Sequence, residues 1–128
     1  MVEGSDGNSM ADILQQLRDA VSGLSYPSES DEPFEMLEFG PSFASARAAV
    51  KSVAPANAIV EVPMGKFFDD LVDDPQIGRL RLLQNLITEN LADAEAFRVD
   101  RGSEVDIYLL GRAAAGNWVG VKTMSVET

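Results

Sequence analysis

Histidine and cysteine are both absent from the 128 residues of this chain. Without them, Ser-His-Asp and Cys-His nucleophilic catalysis, imidazole acid–base chemistry and nearly every zinc site are excluded. Disulfides are excluded as well, so any stability must come from an ordinary core. Positive charge is scarce: 10 Lys and Arg stand against 21 Asp and Glu, a formal net charge of −11. A field of that sign repels polyanions, which argues against direct nucleic-acid binding and against anionic membrane surfaces. No apolar run reaches bilayer-spanning length, and the opening MVEGSDGNSM has neither the basic start nor the apolar centre of a signal peptide. Cytoplasmic residence is the resulting expectation. An enzyme would have to run on carboxylates, Lys, Tyr or an oxygen-ligated metal, so the chain reads as a non-enzyme with no cofactor.

The residues that are present suit a single globular domain. Apolar residues make up 45% of the chain, enough at this length to bury a real core. Residues 1–8 read as a flexible tail and residues 9–128 as one domain. The acids are unevenly spread: residues 1–40 carry nine acids and one base, residues 41–128 twelve acids and nine bases. They concentrate in SYPSESDEPFEMLEFG, residues 25–40, and no Lys or Arg lies between Arg18 and Arg47. Such a stretch is either solvated surface or a surface made to meet something positive.

Periodicity organises the remainder. Ser9 with Asp12 resembles a capping box, and Met10, Ile13, Leu14, Leu17 and Val21 recur at helical spacing until Gly23. The proline- and serine-rich SYPSESDEP that follows is expected to lack regular structure. A strand is predicted over Phe34–Phe39, then a helix capped by Ser42 and running through Phe43, Ala46, Val50 and Val53. A strand over Ala58–Val62 leads through Pro63 into a short helix, MGKFFDDLV, broken at Asp73-Asp74-Pro75. Leu80, Leu83, Leu86, Ile87 and Leu91 mark a longer amphipathic helix. Three strands are predicted over Phe97–Asp100, Glu104–Arg112 and Asn117–Glu127, with Gly102 and Gly116 in the turns. The consecutive apolar residues Ile107–Leu110 imply burial of both sheet faces. The expected fold is therefore α/β (α+β): a three-layer α/β/α sandwich with a mixed sheet and element order α-β-α-β-α-α-β-β-β.

Several candidate sites weaken on inspection. Asp69, Asp70, Asp73 and Asp74 lack the alternating spacing and glycine of a calcium loop and read as a solvated helix end. Glu35 and Glu38 could suggest an acid/base couple, but paired glutamates are common on sheets. Tyr108 and Trp118 read as core. Two features survive. In Ser28-Glu29-Ser30, the serine hydroxyls can fix the backbone and hold Glu29 outward. At Val126-Glu127-Thr128, a strand carried to the last residue would bring a carboxylate, a hydroxyl and Glu127 together.

At these residues the chain resembles the nuclease A inhibitor (NuiA-like) family. The resemblance rests on GLSYPSESDEPFE near the front and on EVDIYLLG, RAAAG and NWVGVKTMSVET at the back, with weaker similarity through VEVPMGKFF. It implies an α/β/α sandwich that plugs the active site of a sugar-nonspecific, magnesium-dependent nuclease of the ββα-metal type. By the same resemblance, Glu29 takes the place of a substrate phosphate and Thr128 reaches the hydrated metal of the nuclease. Ser28, Ser30, Glu127 and Gln76 join them as expected partner-binding residues. One contact region departs from the family: where the inhibitor has Pro-Gln-Asp-Trp, this chain has Pro75-Gln76-Ile77-Gly78. Losing a tryptophan anchor costs roughly 2–4 kcal/mol at an interface. The alternative expectation is accordingly a binding or regulatory module on the same fold with a non-nuclease protein partner.

Overall fold

A computed structural model of the protein describes residues 10–127. Four helices and seven strands follow one another as α1 (Met10–Val21), β1 (Ser25–Tyr26), β2 (Glu32–Pro33), β3 (Glu35–Phe39), α2 (Ala46–Val53), β4 (Ile59–Val62), α3 (Met64–Asp69), α4 (Ile77–Asn90), β5 (Ala92–Asp100), β6 (Glu104–Arg112) and β7 (Trp118–Val126). The expected tail over residues 1–8 and the expected cap at Ser9 lie outside the described residues.

The main sheet has the order β3-β7-β6-β5-β4, and every neighbouring pair in it is antiparallel. This corrects the expectation of a mixed sheet. An apolar run signals burial on both faces and says nothing of strand direction, because antiparallel sheets are also buried when helices cover both sides. β6 shows that burial directly: Val105 through Gly111 are all buried, while Glu104 and Arg112 at its ends are exposed.

Alternation along the strands divides the interior into two clusters. Val105, Ile107 and Leu109 of β6, with Val119 and Val121 of β7, pack against Leu17 of α1, Phe67 and Phe68 of α3 and Leu80, Leu83 and Ile87 of α4. On the opposite face, Tyr108, Leu110, Phe97, Val99 and Trp118 pack against Ala46, Ala49 and Val50 of α2. Small alanines let α2 approach the sheet closely. Its N-cap is Ser45, whose hydroxyl accepts from the Ala48 amide at 3.1 Å, and not the expected Ser42. Phe43 stays outside the helix because its carbonyl accepts the Trp118 indole Nε1–H at 2.9 Å.

The element order differs from the expectation at one place. SYPSESDEP, expected to be irregular, contains a minimal antiparallel ribbon pairing Ser25 with Pro33 and Tyr26 with Glu32. Pro27–Asp31 form the loop at its tip. Strands this short leave no periodic trace in a sequence.

Close backbone approach fixes one residue type in β7. A Cβ placed on Gly120 would stand 1.8 Å from the Leu109 carbonyl oxygen, a backbone atom that cannot turn aside. Gly120→Ala is expected to destabilise the fold by more than about 3 kcal/mol in chemical denaturation, whereas Gly65→Ala, which meets nothing within 4 Å, should change it by less than about 1 kcal/mol.

Candidate functional site

β3 pairs only with Trp118–Lys122 of β7. The outer edge of the second half of β7 would otherwise present unpaired backbone groups. The acidic ribbon covers it. The Thr123 hydroxyl donates to the Pro33 carbonyl at 3.0 Å, joining β2 to β7. Further along, the Ser28 hydroxyl accepts the Val126 amide at 3.1 Å while donating to the Ser30 carbonyl at 2.6 Å. The Glu29 amide donates to the Val126 carbonyl at 3.3 Å. Both backbone groups of Val126 are thus held by the Ser28-Glu29-Ser30 loop. Residues nearly a hundred positions apart meet there, two residues before Thr128, which itself lies outside the described residues.

Each loop residue has a distinct position. Ser28 is half-buried and acts as the brace just described. Glu29 is exposed at the tip, the orientation expected of it. The Ser30 hydroxyl donates to the Glu32 carboxylate, closing the ribbon on itself. Tyr26, at the start of the loop, stacks on Phe67 with ring centroids 5.7 Å apart, which ties the ribbon to α3. Burial pushes the Tyr26 phenol above its ordinary pKa, partly offset by the positive charge of the nearby Arg98 guanidinium.

Glu127 is engaged within the molecule. Its carboxylate accepts from Arg98 Nη2 at 2.6 Å and from the buried Ser125 hydroxyl at 2.7 Å, and its amide donates to the Ser103 carbonyl at 2.7 Å. These hydrogen bonds favour the charged form and hold the carboxyl below the usual glutamate range.

Gln76 precedes α4 and turns inward. Its amide donates to the Ser25 carbonyl at 3.0 Å and accepts the Ser25 amide at 3.1 Å, imitating a strand neighbour for β1. The structure therefore brings Ser28, Glu29, Ser30 and Glu127 to one end of the sheet and gives Gln76 the task of fixing the ribbon's root.

The other acids divide into unrelated contacts. Asp69 pairs with Arg81 and Asp70 with Lys66, while Asp74 accepts the Gln76 amide. Among the described residues no group of three or more acidic side chains is gathered as a metal would require. Glu35 and Glu38 sit three apart on one strand, so they project to opposite faces. Also among the described residues, no helix is long and apolar enough to cross a membrane. Sequence reading missed Tyr26, Arg98, Thr123 and Ser125 as members of this constellation. Their partners are remote in sequence, and no spacing rule links them.

Together these features define an acidic α+β domain that displays a carboxylate from a braced loop beside its last strand. The chain belongs to the nuclease A inhibitor-like (NuiA) family, whose sequence profile matches residues 11–128. Membership implies a nuclease-inhibitor role exerted on a protein partner. Among curated proteins, none matches the chain.

Two measurements test this geometry. Ser28→Ala removes the acceptor of the Val126 amide and should cost about 1 kcal/mol in thermal or chemical unfolding. Glu127, with its pKa depressed on folding, contributes stability that is present above the ordinary glutamate pKa and is lost as pH falls through the depressed value. An NMR titration should place its midpoint below the ordinary glutamate value, and Arg98→Met should move it upward.

Proposed function

We propose that the protein is a cytoplasmic, non-enzymatic inhibitor that occupies the active site of a sugar-nonspecific, magnesium-dependent nuclease by imitating its polyanionic substrate. The observation that carries this reading is the seating of the Ser28-Glu29-Ser30 loop on Val126, which presents Glu29 beside the end of the chain. A nuclease of this kind has a cationic cleft and a hydrated metal. A carboxylate on a braced loop can take the place of a phosphate there without offering a bond to cleave. In this reading Glu29 fills the phosphate position and Thr128 approaches the metal shell. Ser28 and Ser30 hold the loop, Glu127 flanks the tip, and Gln76 secures the ribbon behind it. The net charge of −11 supplies steering toward a cationic cleft.

A second reading keeps the same surface with a different, non-nuclease protein partner. It is favoured by the region after α3, where Ile77 and Gly78 lie inside α4 and the Gln76 amide is engaged by Ser25. A third contact made of an acid and a tryptophan has no equivalent there.

The deciding experiment is titration of the purified protein into magnesium-supported cleavage assays with each ββα-metal-type nonspecific nuclease of its own genome. Stoichiometric loss of cleavage is expected. Glu29→Ala and removal of Thr128 should each weaken inhibition by about 2 kcal/mol, roughly 30-fold, with the thermal midpoint little moved. Undiminished cleavage at excess protein would reject the inhibitor reading in favour of the second, and potency unchanged from that of the unmodified protein in both variants would reject the assigned roles.

A further inference from the structure

The helices α1, α3 and α4 do not cover their face of the sheet to its end. Val62 of β4 packs against them, but Val60, two residues back on the same face, is 57% exposed. Register sets Val60 opposite Arg98, Asp100 opposite Val105, and Val105 opposite Ser125, so these side chains share that face. Where the helices stop, the sheet forms a hollow of about 250 Å³. Its walls are Val60, Arg98, Asp100, Gly102, Val105 and Glu127, all from strands, from the β5–β6 turn or from the residue after β7. Pockets for drug-sized ligands run to ~300–1,000 Å³, so this one is of a size for a single side chain. It lies at the end of the sheet that also carries the Glu29 loop, because Glu127 directly follows Val126.

Val60 and Val105 give the hollow an apolar side, and two carboxylates stand against one guanidinium, which leaves it net negative. Arg98 is already matched: its Nη2 donates to Glu127 Oε2 at 2.6 Å, and the Ser125 hydroxyl donates to the same oxygen at 2.7 Å. Asp100 Oδ1 accepts the Gly102 amide at 2.9 Å. Each carboxylate therefore has one oxygen engaged within the molecule, and neither offers the free pair that an arginine fork takes. An ammonium is a compact point charge on a long apolar stem and needs no such pair. We infer that the hollow is a second contact of the binding surface and receives a lysine side chain of the protein partner. The stem lies on Val60 and Val105, and the ammonium meets Asp100 and Glu127. Charge complementarity supports this occupant, since a chain of net charge −11 favours a cationic partner. The identity of that partner as a nuclease rests on the inhibitor reading above; the geometry of the hollow belongs to the free protein.

The test joins an NMR titration of the free, full-length protein to the nuclease assay. The probe is n-butylammonium, a lysine side chain without its backbone, with uncharged n-butanol as its control. Saturable shifts are expected with n-butylammonium at the amides of Val60, Asp100, Gly102 and Glu127, and much smaller ones with n-butanol. Asp100→Asn keeps an acceptor for the Gly102 amide while removing the charge, and should cut these shifts by about half or more. Against the nuclease, Val60→Lys puts an ammonium of this chain into the hollow and should weaken inhibition about tenfold or more, whereas Val60→Glu should change it less than about twofold. The same two replacements at Leu82, 66% exposed on α4, should differ by less than about twofold. Equal shifts with n-butanol, or shifts scattered over the acidic surface, overturn the inference. So does Val60→Lys as potent as Val60→Glu. Localised n-butylammonium shifts in a protein that leaves the nuclease active overturn the inhibitor reading instead, and the titration of free protein separates the two failures.

Discussion

Burial of β6 on both faces governs everything else in this molecule. Seven consecutive residues from Val105 to Gly111 are withdrawn from water, so their backbone groups must be satisfied by strands on either side and their side chains by helices above and below. β5 and β7 meet the first demand along nearly the whole length of the strand. α2 meets the second on one face, and α1, α3 and α4 meet it on the other. The close approach of Gly120 to the Leu109 carbonyl is a local consequence of how tightly β7 is drawn against this strand.

The place of the acidic ribbon arises from a mismatch in strand lengths. β7 has nine residues to match β6, but β3 covers only five of them. An open edge of four residues invites pairing with another chain. The acidic ribbon closes it with the Thr123 and Ser28 hydroxyls and one backbone bond, from the Glu29 amide to the Val126 carbonyl, rather than with a regular ladder. Covering an edge and displaying Glu29 are thus one structural act. Most neighbouring acids contribute background field, while Glu29 is singled out by where its backbone is anchored.

The sequence made the spine of the fold readable and left its joints hidden. The bounds of β6, the turn glycines at 102 and 116 and the apolar stripes of α1 and α4 follow from local patterning, because each depends on residues near in sequence. Strand direction did not, since a run buried on both faces looks the same in parallel and antiparallel sheets. Nor did the side on which Trp118 lies: β7 alternates between two interiors, so neither half of its pattern marks solvent. At the site, the Ser-Glu-Ser motif was visible through the family resemblance, and its outward glutamate through the chemistry of serine hydroxyls. Gln76 was visible too, but its amide reaches Ser25, 51 positions away. Tyr26, Arg98 and Ser125 gave no local signal, because Tyr26 matters through Phe67 of α3, and Arg98 and Ser125 through the Glu127 carboxylate they share.

The placement of Trp118 has an optical consequence. It is the single tryptophan of the chain, buried at 3% exposure beneath α2, with its indole N–H held by the Phe43 carbonyl and Arg112 over its ring. It stands at the start of β7, about 26 Å along the strand from Val126 at its other end. Its emission therefore reports on the seating of α2 against the sheet and is insulated from events at the tip. Intrinsic fluorescence will follow unfolding of this protein faithfully and be nearly silent to the binding proposed at Glu29, so a spectroscopic reporter for that proposal has to be introduced at the tip end of the sheet.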